Sequence, residues 1–198
     1  MSGLPDLYKE IAVCRKCELY KTSTRSVPGE GPGKAEIMFI GEGPGWNEDQ
    51  QGRPFVGAAG KFLDQLFSSI GMKRDQVYIT NVVKHRPPNN REPLPSEIAA
   101  CNCWLDQQIA LIHPRVIVTL GRHSMARFLQ NKSISKIHGT AEHRDGVVYF
   151  AMYHPAAALH QQNLRYEIEQ DMLKIPALLA GIKKTVKNDE KPQQLSMF

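Results

Sequence analysis

Short runs rich in β-branched and aromatic residues recur along the chain at 36–41 (EIMFIG), 77–84 (VYITNVVK), 115–121 (RVIVTLG) and 147–154 (VVYFAMYH). Each predicts a strand. Between them the period changes. Phe62, Leu63, Leu66, Phe67 and Ile70 form one apolar stripe at helical spacing. Ser96 opens a second helix after Pro95, with its stripe on Ile98, Cys101, Leu105, Ile109 and Ile112. Met125, Phe128 and Leu129 suggest a short third helix, and 162–181 a C-terminal one interrupted at Pro176. Strands alternating with helices predict an α/β fold: three αβα layers around a central, mostly parallel, four-stranded sheet. A single domain over 1–182 is expected. The last 16 residues, 183–198, are polar, charged and Pro-containing until the final few, and read as a flexible tail.

Composition narrows the class. The chain has 198 residues, 41% hydrophobic and 23% charged, which fits one folded domain and excludes a disordered or collagen-like chain. No apolar run reaches the length of a membrane span, and the N-terminal stretch lacks the pattern of a signal peptide. The expected compartment is the cytoplasm, with no membrane partner. The net charge of +5 permits a polyanionic partner without demanding one.

The strand reading places Gly41–Gly45, Asn81, Gly121 and His154 at or near the C-terminal ends of their strands. Ligands of open α/β sheets bind beyond those ends, so these distant residues should converge on one pocket. The glycines of Gly41-Glu42-Gly43-Pro44-Gly45 would let backbone N–H groups approach a ligand, or would simply turn the chain. A nucleotide P-loop would need GK[ST], and Gly33-Lys34 is followed by Ala35.

Phe55 lies in a Gly/Pro-bounded loop outside any apolar stripe, where it would either stack on a flat ring or plug the sheet edge. Glu48 and Asp49 would place water, stabilise positive charge, or form a solvated acidic pair. Asn81 interrupts an apolar strand. Its amide offers a donor and an acceptor together, as a nucleobase edge such as the O4 and N3–H of uracil requires. His154 would donate to a developing anion. Both Asn81 and His154 also admit purely structural roles.

Four cysteines are too few for a disulfide scaffold. Cys14-x-x-Cys17 is a two-ligand clip for Zn or an Fe–S cluster. Cys101, on the buried stripe of the second helix, supplies a third thiol. Cys103 lies about 200° further round that helix and should point away. His85 is the natural fourth ligand, which favours three cysteines plus one histidine.

Together these residues resemble the family 4 uracil-DNA glycosylases, the iron–sulfur branch of their superfamily. The likeness rests on CRKC at 14–17, GEGPGWNEDQQGRPFVG at 41–57, YITNVVK at 78–84, RPPNNREPLP at 86–95, Cys101 and HPAAAL at 154–159. It implies a uracil-DNA glycosylase fold and hydrolytic release of uracil in DNA base-excision repair. It implies that Gly41, Glu42, Gly43, Phe55, Asn81, Asn90 and His154 bind the flipped base. His154 would stabilise the uracil anion, Glu42 or Glu48 would stabilise the sugar cation and position water, and Leu159 would wedge into the duplex. Cys14, Cys17 and Cys101 would hold a [4Fe–4S] cluster in preference to Zn. The family usually has Cys where this chain has His85, so either His85 ligates iron, or the cluster is labile, or Cys103 substitutes. The segment between His85 and Cys101 lacks the basic insertion of a branch that bonds covalently to DNA, so ordinary turnover is expected.

Gln194, Leu195, Ser196, Met197 and Phe198 end the chain and resemble the QLxLF-type peptide that bacterial replication proteins insert into the sliding clamp. The alternatives to a monomeric glycosylase are a non-catalytic nucleic-acid binder with a structural metal clip, and a nucleotide-processing α/β enzyme.

Overall fold

Five strands form one sheet in the order β2-β1-β3-β5-β4, where β1 is Ile37–Gly41, β2 Tyr78–Asn81, β3 Val116–Leu120, β4 Ala141–Arg144 and β5 Val147–Met152. The structure is a computed structural model and describes residues 3–189. All pairings are parallel except β4 with β5. The helices are α1 (Leu4–Ala12), α2 (Trp46–Gln51), α3 (Ala58–Ser69), α4 (Pro95–Ile112), α5 (Arg122–Phe128), α6 (Ile134–Ile137), α7 (Gln162–Met172) and α8 (Ile175–Asp189).

The three-layer αβα arrangement is the expected one, and its cause lies in strand alternation. Met38 and Ile40 of β1 enter one apolar cluster with Ile11 of α1, Leu105 of α4 and Met125 of α5. Ile37 and Phe39 enter the opposite cluster with Leu63 and Phe67 of α3, Ile168 of α7 and Ile175 of α8. Strands buried on both faces read as near-continuous apolar runs, which made the four parallel strands visible in the sequence.

The sheet has five strands, which corrects the expected four. The missed strand, Ala-Glu-His-Arg at 141–144, is polar and half-buried to exposed, so it carries no hydrophobic signal. It returns to β5 through Asp145-Gly146, both at positive φ, the two-residue turn that matches strand twist. The C-terminal helix breaks at Leu173–Lys174, and Pro176 falls in the first turn of α8, where a missing N–H costs nothing. Helix α8 runs to Asp189, so residues 183–189 of the stretch read as a tail are helical. Gln194, Leu195, Met197 and Phe198 lie outside the described residues.

Candidate functional site

Beyond the C-terminal ends of β1, β2 and β5 lies a cavity of about 400 Å³, walled by Glu42, Gly43, Gly45, Glu48, Phe55, Asn81, Asn90, Arg91 and His154, among others. The expected convergence of the Gly loop, Asn81 and His154 is present. Gly121 stays outside the lining and instead packs on His154: a Cβ there would lie 3.1 Å from the His154 Cβ.

Gly41 and Asn81 end adjacent strands in register, which brings the Gly loop and the Asn to the same edge. The pairing continues past the strands, with Val82 N donating to Gly41 O (3.0 Å) and Val83 N to Glu42 O (3.1 Å). Asn81 is 1% exposed, yet its Oδ1 is buried without a hydrogen-bond partner. A buried unpaired acceptor is costly, by about 1–3 kcal/mol, and this one belongs to a residue of the cavity wall.

Phe55 holds φ at 51°, a strained value for an aromatic residue. Two partners impose it. Arg74 donates to the Phe55 carbonyl (3.1 Å) and to the Pro54 carbonyl, while its other contacts are Asp64 (3.1 Å) and Glu30 (3.6 Å). Gly60 lies directly beneath: a Cβ there would meet Phe55 O at 1.9 Å. The Phe55 ring then stacks beside His154, with centroids 5.5 Å apart and planes 26° apart.

His154 Nδ1 accepts from Ala156 N (3.1 Å), which leaves the proton of the neutral ring on Nε2. Burial pushes the His154 pKa down to about 4, with Glu48 opposing it. The ring is therefore neutral at physiological pH and presents an N–H donor.

The two candidate carboxylates differ. Glu48 Oε1 accepts from Val56 N (2.9 Å) and Gly57 N (2.8 Å), and Oε2 from Gly45 N (3.1 Å). It joins the Gly loop to the Phe55 loop. Glu42 has no such bonds; its Oε2 lies 3.8 Å from His123 Nε2, which lies 3.2 Å from Glu92. Burial raises the Glu42 pKa, opposed by His123. Asp49 is buried and accepts from Thr24 N (2.8 Å), so it anchors the 22–26 loop. Asn90, at φ 54°, accepts from Arg86 (2.6 Å) on the cavity wall. Leu159 ends the turn that follows His154 and is 47% exposed.

The cysteines gather around α1 and α4. Trp104 Nε1 donates to Cys14 Sγ (3.2 Å) and Lys84 N to Cys101 Sγ (3.4 Å). Burial pushes the Cys101 thiol up to about 11; Lys84 lowers it and the charges of Cys17 and Cys14 raise it further. Cys103 turns to the exposed Lys16 (3.1 Å). His85 is buried, its pKa lowered by burial and raised by Asp49. N–H donors on sulfur suit a thiolate-held cluster. Among the described residues no three His, Cys, Asp or Glu side chains stand close enough to hold a single metal ion.

Sequence reasoning missed Arg74, Gly60 and Lys84. Lys84 is fully buried and donates from Nζ to Asn81 O (2.6 Å), Thr80 Oγ1 (2.8 Å) and Gln108 Oε1 (2.8 Å). Its only legible signal was a lysine at the end of an apolar strand.

Comparison with known proteins places residues 28–175 in the uracil DNA glycosylase superfamily. The chain is 51% identical over 189 residues to the type-4 uracil-DNA glycosylase of Sulfurisphaera tokodaii, covering 90% of this chain and 86% of that protein. It is 48% identical to the type-4 enzyme of Archaeoglobus fulgidus, covering 90% and 94%. A type-5 uracil-DNA glycosylase of Pyrobaculum aerophilum is 29% identical, covering 84% and 82%.

Proposed function

The chain belongs to the uracil DNA glycosylase superfamily, in its type-4 family, and on that basis we propose how its cavity removes uracil from DNA. The enzyme is a glycosylase of base-excision repair that hydrolyses the N-glycosidic bond and leaves an abasic site. The observation that carries the residue roles is the unpaired Asn81 Oδ1 beside a neutral His154 and the Phe55 ring.

A base inside a duplex is out of reach, so the nucleotide is extruded at a cost of a few kcal/mol. Phe55 stacks on the base. Asn81 Oδ1 accepts N3–H while its amide N–H donates to O4. Cytosine presents the reverse pattern, an acceptor at N3 and a donor at N4, which leaves buried polar groups facing like partners. His154 Nε2–H donates to O2, where charge gathers as the C1′–N1 bond breaks and its electron pair passes to uracil. Glu42, free of backbone bonds, faces the sugar cation and accepts the proton of the water that attacks C1′. Glu48 holds the two loops in place. Asn90 adds to the base-binding wall, and Leu159 fills the gap left by the extruded nucleotide.

Cys14, Cys17, Cys101 and His85 would hold a [4Fe–4S] cluster. Hydrolysis moves no electrons to or from the protein, so the cluster would supply a cross-link between the N-terminal segment and α4. The N–H groups of Trp104 and Lys84 aimed at sulfur support this reading. The C-terminal contact with a sliding clamp, a monomeric state and a cytoplasmic location complete the proposal. Among the described residues no helix is long and apolar enough to cross a membrane.

The test is a uracil-containing oligonucleotide treated with the protein and then with alkali. Cleavage at the uracil supports the assignment, and an intact strand overturns it. For the tail, clamp pull-down should be lost when residues 194–198 are removed.

A further inference from the structure

Trp46 is 56% exposed and directly follows Gly45 of the cavity wall, at the start of α2. Among the described residues six large apolar side chains are exposed, and three of them sit on segments that wall the cavity. Trp46 follows Gly45, Leu94 lies three residues after Arg91, and Leu159 three after Ala156. Half of these exposed apolar side chains thus follow closely on residues of the cavity wall. No aromatic or cationic side chain stacks on the Trp46 indole among the described residues, whereas the second tryptophan, Trp104, is 5% exposed and lies under Lys16 (4.4 Å).

With the extruded base in the cavity, the nucleotides beside it must pass over its rim. Extrusion strips those neighbours of one stacking face. An exposed indole offers a flat apolar surface that suits any base, because every base has a π-face. The net charge of +5 suits the phosphates between them. We propose that Trp46 is a stacking platform for the base adjacent to the extruded uridine on the same strand. This rests on the reading that uracil-containing DNA enters the cavity.

The two tryptophans make the test direct. The full-length holoprotein is titrated with a labelled single-stranded oligonucleotide carrying an uncleavable 2′-fluorinated deoxyuridine, following label anisotropy and tryptophan emission together. The wild type should lose emission as it binds. W46F, which leaves only buried Trp104, should show no such change yet retain most of the affinity. W46A should bind roughly 5- to 150-fold more weakly, the range of one base–aromatic stack. Circular dichroism establishes that both variants are folded. Binding of the wild type without a change in emission, or wild-type affinity in W46A, would overturn the proposal. Failure of the wild type to release uracil in the alkali assay is a separate result, which would overturn the function and this inference with it.

Discussion

Gly41 and Asn81 stand opposite each other at the ends of β1 and β2, and a Cβ on residue 41 would lie 2.4 Å from Asn81 Oδ1 and 2.6 Å from Phe55 Cζ. The Asn81 amide and the Phe55 ring both occupy space that only glycine leaves open. Its φ is unremarkable, so the requirement is room and not backbone freedom. Gly41→Ala should therefore displace both groups while leaving the strand intact. Misplacement of about 1 Å costs about 10²-fold in rate. Single-turnover excision of uracil by G41A should fall by that order, with the circular dichroism spectrum unchanged.

His154 links the site to pH. Its folded pKa of about 4 lies below the ordinary histidine value of 6.5, because burial disfavours the imidazolium. Between those values the unfolded chain binds a proton that the native chain does not, so stability falls as pH drops from about 6.5 towards 4 and then levels. Denaturant midpoints at pH 7.5, 5.5 and 4 should decline in the wild type and less in His154→Gln. If Nε2–H is the donor to the leaving uracil, His154→Ala should lower excision by about 10²–10³-fold at neutral pH.

The parts of this site that were legible in the sequence share one property: they break a local pattern. Asn81 is a polar residue in a strand buried on both faces, and His154 and the Gly loop follow strand ends. The parts that stayed hidden follow no local pattern. Arg74 reaches the Phe55 carbonyl across 19 positions, and nothing near either residue announces it. Strand β4 is polar because it lies at the sheet edge, and only Asp145-Gly146 hinted at the hairpin. Glu48 and Glu42 looked alike until the backbone N–H groups of residues 45, 56 and 57 were seen around one of them.

That difference between the two glutamates predicts opposite signatures. Glu48→Gln turns an acceptor into a donor facing backbone N–H groups, and should lower stability by about 1–3 kcal/mol as well as excision. Glu42→Gln removes no backbone bond. It should leave stability within about 0.5 kcal/mol, yet slow excision by about 10²–10⁴-fold if its carboxylate takes the water proton. Thermal melts run beside single-turnover assays separate the two. A melt lowered equally in both variants would contradict the division of roles.

The cluster proposal is tested without activity. Cys14→Ser, Cys101→Ser and His85→Ala should each lose iron and the broad visible absorption of the purified protein. Cys103→Ala should keep both, because that thiol is turned to Lys16. Bleaching in Cys103→Ala with colour retained in His85→Ala would reverse the assignment of the fourth ligand.

Lys84 joins the cysteine region to Asn81. Its backbone N–H faces Cys101 Sγ, and its Nζ donates to the Asn81 carbonyl at 2.6 Å and to Thr80 and Gln108. Lys84→Met keeps the length and burial of the side chain but leaves the Asn81 carbonyl and Gln108 Oε1 without this donor. An unpaired buried acceptor costs about 1–3 kcal/mol, so the variant should melt earlier. If Nζ only supported the fold, excision per folded molecule would be unchanged. Because it fixes the backbone that carries the Asn81 amide, excision at saturating DNA should fall about tenfold or more, while affinity for DNA lacking uracil stays near that of the wild type. Wild-type excision by folded K84M would show that Asn81 needs no such support.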